Sequence, residues 1–267
     1  MSNSPPARDV LTAFGLSEEP SALPGGQGEA WLSGSAVLKP AACAEETRWR
    51  AEVLSGLAES PGFRVAPPLP TRDGDWIRDG WEAWGLVAGE TDVTRPLDAF
   101  AVSRAFHNAL EGVARPAFLI ERDHAWARSD RIAWGEEGPP EDGLLAAMVE
   151  RFEPVGLDSQ AIHGDLLGNV LYSPGLPPAV IDWSPYFRPA AWAEAIAAVD
   201  AVCCHGADES LLERPTEPAW PQLVLRALVF RAATDRIRLG PKWPSEPVRE
   251  AFRLMAEDGP GARRNYV

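Results

Sequence analysis

Near residue 96 the hydrophobic period of this sequence changes, and the change restricts the fold class. Before it, apolar residues come in short runs broken by Gly and Pro, as strands do. Runs at 30–33 and 35–39 are joined through Gly34, and Pro40 cannot extend the ladder. Further extended segments are expected near 63–66, 75–78 and 81–88, with a short helix at 9–16 and a longer one at 44–58 striped by Trp49, Val53 and Leu57. Beyond residue 96 the spacing is helical over 98–112, 141–153, 188–204, 219–239 and 246–257, and a tail follows. A polar, Trp-containing loop is expected over 113–140. Short strands at 160–163, 170–173 and 179–182 interrupt the helices, the last two forming a hairpin around Ser173-Pro-Gly-Leu-Pro-Pro178. The pattern predicts an α+β fold: a small sheet with one main helix, then a larger, mostly helical part.

Charge narrows the function classes. The 267 residues carry a formal charge of −14, with pI near 4.8. Such a field repels phosphate backbones and anionic lipid, so neither nucleic acid nor a membrane is an expected partner. The sequence has no apolar run of membrane-spanning length, and its start, MSNSPPARDVLTAF, lacks a basic region followed by an apolar one. Cys43, Cys203 and Cys204 form no disulfide or zinc pattern and read as reduced thiols of a cytoplasmic protein. Among 25 basic residues only Lys39 and Lys242 are lysines, so a lysine inside a predicted strand asks for a reason.

The densest chemistry lies in Ala161-Ile-His-Gly-Asp-Leu-Leu-Gly-Asn-Val-Leu-Tyr172 and Ala179-Val-Ile-Asp-Trp183. Asn169 enters one strand of the predicted hairpin, Asp182 leaves the other, and Asp165 sits on the turn before it. Oxygen donors of this kind suit Mg²⁺, which takes one or two carboxylates plus substrate phosphates. The competing reading, that Asp165 and Asn169 only satisfy turn backbone, has equal standing on this segment alone. Lys39 tips the balance. It follows the Gly-rich loop Leu23-Pro-Gly-Gly-Gln-Gly-Glu-Ala-Trp31, and a point charge beyond backbone amides is what nucleotide phosphates need.

Gly loop, strand lysine, helix with glutamates, H-G-D-x-x-x-N and V-I-D-W, in that order, resemble the aminoglycoside phosphotransferase and choline kinase branch of the protein-kinase-like superfamily over about residues 22–205. The resemblance implies a two-lobed kinase-like fold, with a nucleotide-binding lobe over 1–88 and a catalytic and substrate lobe over 89–267. It implies ATP or GTP as phosphoryl donor, Mg²⁺, and a small hydroxylated acceptor: a sugar, amino sugar, amino alcohol or aminoglycoside. Residue by residue, Asp165 would act on the acceptor hydroxyl, Asn169 and Asp182 would bind Mg²⁺, and Gly25, Gly26, Gly28 and Lys39 would hold phosphates. Glu52 would fix Lys39 by the family's spacing, whereas the helical wheel favours Glu46. Backbone groups at Gly85 and Val87 would bind adenine if Trp81–Glu90 is the interlobe hinge, the alternative being a core strand. Asp165 and Asn169 stand four positions apart where the family has five. This leaves a catalytically silent nucleotide- or metabolite-binding protein as the rival reading. Where the family carries a later helical Asp, Glu194 is the candidate substitute.

Other residues read more simply. His107 is expected to pack or cap its helix, His163 to brace the catalytic turn, and Cys203 and Cys204 to be small buried side chains. Trp126, Trp134 and Trp183 fall where a substrate cleft would run. Residues 188–267 carry 11 acidic and 11 basic side chains, which speaks against a polycationic acceptor.

Overall fold

A computed structural model of the chain describes residues 4–24, 28–213 and 217–240. The expected helix at 246–257, the tail, and Gly25 and Gly26 lie outside the described residues. In chain order the elements are α1 (Arg8–Ala13), β1 (Ser21–Ala22), β2 (Trp31–Ser33), β3 (Ala36–Pro40), α2 (Ala44–Gly56), β4 (Arg64–Val65), β5 (Trp81–Gly85) and β6 (Glu90–Thr91). There follow α3 (Pro96–Ala109), α4 (Phe118–Glu121), α5 (Ala125–Ala133), α6 (Gly143–Val149), β7 (Gln160–His163), β8 (Val170–Tyr172), β9 (Ala179–Val180), β10 (Pro185–Arg188), α7 (Ala190–His205) and α8 (Trp220–Leu239). The expected α+β class is found. Packing divides the chain into two units, one of residues up to Thr91 with Val170–Asp182, the other of Asp92–Asn169 with Trp183 onward.

The first unit holds two four-stranded sheets, ordered β1-β2-β3-β5 and β4-β9-β8-β6. In the first, β3 pairs antiparallel with β2 (Trp31↔Leu38) and with β5 (Lys39↔Glu82), and α1 lays Val10, Leu11 and Phe14 on Leu38 and Ala83. In the second, the hairpin is present as expected, with Val170 opposite Val180, and β4 adds parallel to β9. The expected strand at 75–78 is instead a turn: the Thr71 hydroxyl donates to Asp73 Oδ1 and the Asp75 carbonyl, and Asp75 N–H returns a bond to Thr71. Turn chemistry from Asp73-Gly74-Asp75 overrides the apolar run after it. The buried stripe of α2 is also rotated from expectation, running through Thr47, Ala51 and Leu54, while Trp49, Val53 and Leu57 are half-buried.

The second unit is built on α7 and α8. Eleven of the sixteen residues of α7 are buried, and Trp192, Trp220 and Phe230 are among the largest side chains removed from water. The loop expected over 113–140 contains α4 and α5. Helix α5 is capped by His124, whose Nδ1 accepts the Ala127 N–H, and buries Ala127, Ser129, Ile132 and Ala133. Three arginines within ten residues made this stretch read as a polar loop, although its small apolar face is helical in spacing. Strand β10, whose first residue is Pro185, pairs with β7, consistent with proline's tolerance at a strand's first position. No helix among the described residues is long and apolar enough to cross a membrane.

Arg226 ties α8 to the rest of this unit. Its Nη1 donates to the Ala133 carbonyl at 2.8 Å and its Nη2 to the Glu153 carbonyl at 3.0 Å, while the guanidinium stacks 4.2 Å from Phe152 and 4.8 Å from Trp134. Arg226→Met should leave two carbonyls without donors and cost about 2–4 kcal/mol, counting roughly 1–2 for each. Chemical denaturation should show a lowered midpoint at unchanged slope; stability within 0.5 kcal/mol of wild type, a threshold of roughly the usual surface-substitution effect, would contradict this role.

Candidate active site

In the first unit, Lys39 leaves β3 with its Nζ 2.9 Å from Asp182 Oδ1. Asp182 follows β9 with φ of +50°, the left-handed region that few residues besides Gly, Asn and Asp enter. Helix α2 does not supply a carboxylate to this lysine. It presents Thr47 and Arg50 to Glu82 on β5, with Arg50 Nη2 at 2.8 Å and Thr47 Oγ1 at 2.5 Å from Glu82 Oε2, and Trp84 Nε1 at 2.9 Å from Oε1. Glu82 is buried, and these donors compensate its charge. Glu46 lies 4.0 Å from Arg50. Glu52 is exposed, about 140° around the helix from Thr47 at ~100° per residue. Among the described residues the lysine pairs with Asp182 and with neither expected glutamate, and the polarity of the helix–strand pair is reversed, arginine on the helix and glutamate on the strand.

At the end of β5, Gly85 N–H donates to the Pro67 carbonyl at 2.7 Å, so that donor is engaged. Val87 has no backbone hydrogen bond among the described residues. Gly28 has φ of +74° and open space where a side chain would stand.

In the second unit a chain of hydrogen bonds shapes the H-G-D turn. His107, buried on α3, accepts the His163 N–H at its Nε2 (3.0 Å), and Ser103 Oγ lies 3.1 Å from its Nδ1. His163 Nδ1 in turn accepts the Asp165 N–H at 3.1 Å, the bracing expected of it. Asn169 Nδ2 donates to the Asp165 carbonyl at 2.6 Å and lies 3.3 Å from Oδ2. Burial, followed by the neighbouring His163, pulls the His107 pKa down to about 3 and keeps it a neutral acceptor. His107 is thus a positioning residue rather than a simple packing one, and only its place opposite β7 reveals this. Gly164 is required by contact: a Cβ there would lie 2.4 Å from the ring of buried Tyr186 on β10.

Asp165 opens on a cavity of about 320 Å³ lined by α5, α7 and α8. The ion-pair partner of its side chain is not legible in the sequence. Arg231, on α8, places Nη2 2.8 Å from Asp165 Oδ1 and grips buried Asp200 with Nε at 2.7 Å and Nη2 at 2.5 Å. Glu194 instead pairs with Arg104 of α3 at 2.8 Å. Of the three cleft tryptophans, Trp126 lines the cavity, whereas Trp183 is buried with its Nε1 on the Ile162 carbonyl and Trp134 packs edge-on against Trp192. Cys203 is buried as expected, but Cys204 is exposed.

No protein-family model matches this sequence, and no curated protein matches it. Solved structures do. A spectinomycin phosphotransferase solved with ADP and spectinomycin aligns over 93% of this chain and 92% of its own, with TM-score 0.53 and 14% identity. Choline kinase from Streptococcus pneumoniae aligns over 96% and 98% (TM-score 0.57, 11% identity), and an amicoumacin kinase in complex with AMP-PNP, Ca²⁺ and Ami over 91% and 90% (TM-score 0.57, 12% identity). The chain has the aminoglycoside phosphotransferase and choline kinase fold that its motifs resemble.

Two outcomes follow. Gly164→Ala should cost about 1–3 kcal/mol through the Tyr186 overlap, read as a lower denaturation midpoint; an unchanged midpoint would mean the ring yields freely. His107 takes up a proton on unfolding at pH values between about 3 and its ordinary value of 6.5. Its contribution is therefore complete above that value and falls by about 1.4 kcal/mol per pH unit between 6.5 and about 3. In His107→Gln, which keeps an acceptor but cannot titrate, stability should fall less steeply with acid than in wild type over that window. Parallel curves would remove His107 as the source.

Proposed function

We propose that this protein is a small-molecule kinase, transferring the γ-phosphoryl group of ATP or GTP to a hydroxyl of a small acceptor. The observation that carries the reading is the meeting of Lys39 with Asp182 in one unit, from strands far apart in the sequence. Support comes also from the braced Asp165 turn and from fold neighbours that are small-molecule kinases. In this reading residues 1–88 serve as the nucleotide-binding lobe, 89–267 as the catalytic and substrate lobe, and a cytoplasmic setting follows from the reduced thiols.

The roles follow from the groups. Lys39 neutralises charge on the phosphates, with backbone N–H groups of the Gly25, Gly26 and Gly28 loop, and Val87 offers a donor and an acceptor for a base. Gly85 contributes shape and not its engaged N–H. Glu52 has no direct part in this scheme. Asp182 and Asn169 would each offer an oxygen, a carboxylate and a carboxamide, hard donors of the kind Mg²⁺ takes. Mg²⁺ bound with the nucleotide would supply charge neutralisation. Asp165 orients the acceptor hydroxyl. As its oxygen bonds to the γ-phosphorus, the bond to the β–γ bridging oxygen breaks, the nucleoside diphosphate leaves, and the hydroxyl proton passes to Asp165 or to water.

The four-position spacing of Asp165 and Asn169, one shorter than in the family it resembles, favours the silent alternative as second reading, and substitutions separate the two. Lys39→Ala and Asp182→Ala should weaken Mg-nucleotide binding, measured calorimetrically, by about tenfold or more. Asp165→Asn should leave that binding intact and lower turnover by roughly 10²–10⁴. Unreduced turnover in Asp165→Asn would defeat the catalytic assignment. A wild type that binds nucleotide yet transfers to no acceptor would establish the silent reading.

A further inference from the structure

Beside Asp165, Arg231 places a guanidinium nitrogen 2.8 Å from its carboxylate. Its guanidinium is not a mobile surface charge: Asp200, buried on α7, receives both Nε and Nη2, and a carboxylate so desolvated needs that cation. The fork is rigid, so anchoring it on Asp200 fixes Nη2 against Asp165 Oδ1. Asp165 Oδ2, with Asn169 Nδ2 at 3.3 Å, is left for the acceptor hydroxyl.

The same cation sets the cavity's charge. Asp165, Asp200 and Asp235 line it together with Arg231 and Arg238, so two of the three carboxylates are already compensated from within. Asp235 faces the attractive charges of Arg238 and Arg231, and burial pushes its pKa up, which weakens it as an anchor for an ammonium group. Trp126, the aromatic face on which an ammonium could rest, is covered by Arg238 at 4.6 Å.

Resting on the phosphotransferase reading and going beyond it, we infer that Arg231 is a positioning and specificity-determining residue: it locks Asp165 and fills the cation subsite beside it, so the accepted hydroxyl belongs to an uncharged polyol and not to an amine-bearing molecule. Ammonium groups meet guanidinium instead of free carboxylate on this side of the cavity.

Matched acceptors test this. The full chain, supplied with Mg-ATP or Mg-GTP, is assayed with glucose and glucosamine, galactose and galactosamine, and kanamycin, comparing kcat/KM within each pair. Wild type should favour the amine-free member. Arg231→Met should lower turnover of that member and shift the ratio toward the amine by roughly two- to fivefold, the size of one partly exposed charge pair, while Arg231→Lys holds the ratio. Should Arg231→Met not fold because Asp200 is stranded, the double variant Asp200→Asn/Arg231→Gln removes both charges, and Arg238→Gln, at an exposed position, should shift the ratio the same way by uncovering Trp126. A wild type that prefers the amines, or variants that slow both members equally, would overturn the inference while leaving the phosphotransferase reading intact. Bound nucleotide with transfer to no member of the panel would overturn that reading, and the inference with it.

Discussion

The geometry of the second unit depends on one buried ion pair, Asp200 with Arg231, between its two central helices. Helices α7 and α8 could pack on apolar contacts alone, since Trp192, Phe230 and their neighbours are almost fully removed from water. What the pair adds is direction. Desolvation raises the Asp200 pKa while Arg231 opposes that rise, and the attraction fixes the guanidinium where its remaining hydrogen bond reaches Asp165. From the other side His107 and His163 set the backbone of the same turn. Asp165 is therefore held through side chain and main chain by independent elements.

The first unit solves a different electrostatic problem. A buried glutamate, Glu82, sits opposite Lys39 in the sheet register, yet its partners are Arg50, Thr47 and Trp84. With Glu82 satisfied, Lys39 is left to Asp182, which is partly exposed and strained. A lysine held by a solvent-accessible carboxylate gives up its partner to phosphate more cheaply than one held by a buried carboxylate, because an exposed pair is worth about 0–1 kcal/mol.

Much of this could be read from residue order. The period change, the hairpin at 170–180 and the helices at 190–205 and 220–239 followed from apolar spacing. Asp165, Asn169, Lys39 and Asp182 stand out in the sequence by residue type, whereas the pairing of Lys39 with Asp182 does not. Less legible was whatever depends on which helical face turns inward. Glu52 and Glu46 are both plausible until Thr47 and Arg50 are seen to face Glu82, and α5 is hidden because its buried side chains are small and its arginines many. Arg231 is the clearest case. It stands among 23 arginines of identical local character, and only the approach of α8 to the turn singles it out.

The central claim is phosphoryl transfer to a hydroxyl, and it is tested most directly by following the phosphorus. Wild-type protein incubated with Mg-ATP or Mg-GTP and a mixed pool of polyols, amino sugars and amino alcohols is monitored by ³¹P NMR. A new phosphomonoester resonance, growing as the γ-phosphate signal declines, is the predicted result. Loss of the γ-phosphate only to inorganic phosphate, or no loss in the presence of bound nucleotide, would contradict it.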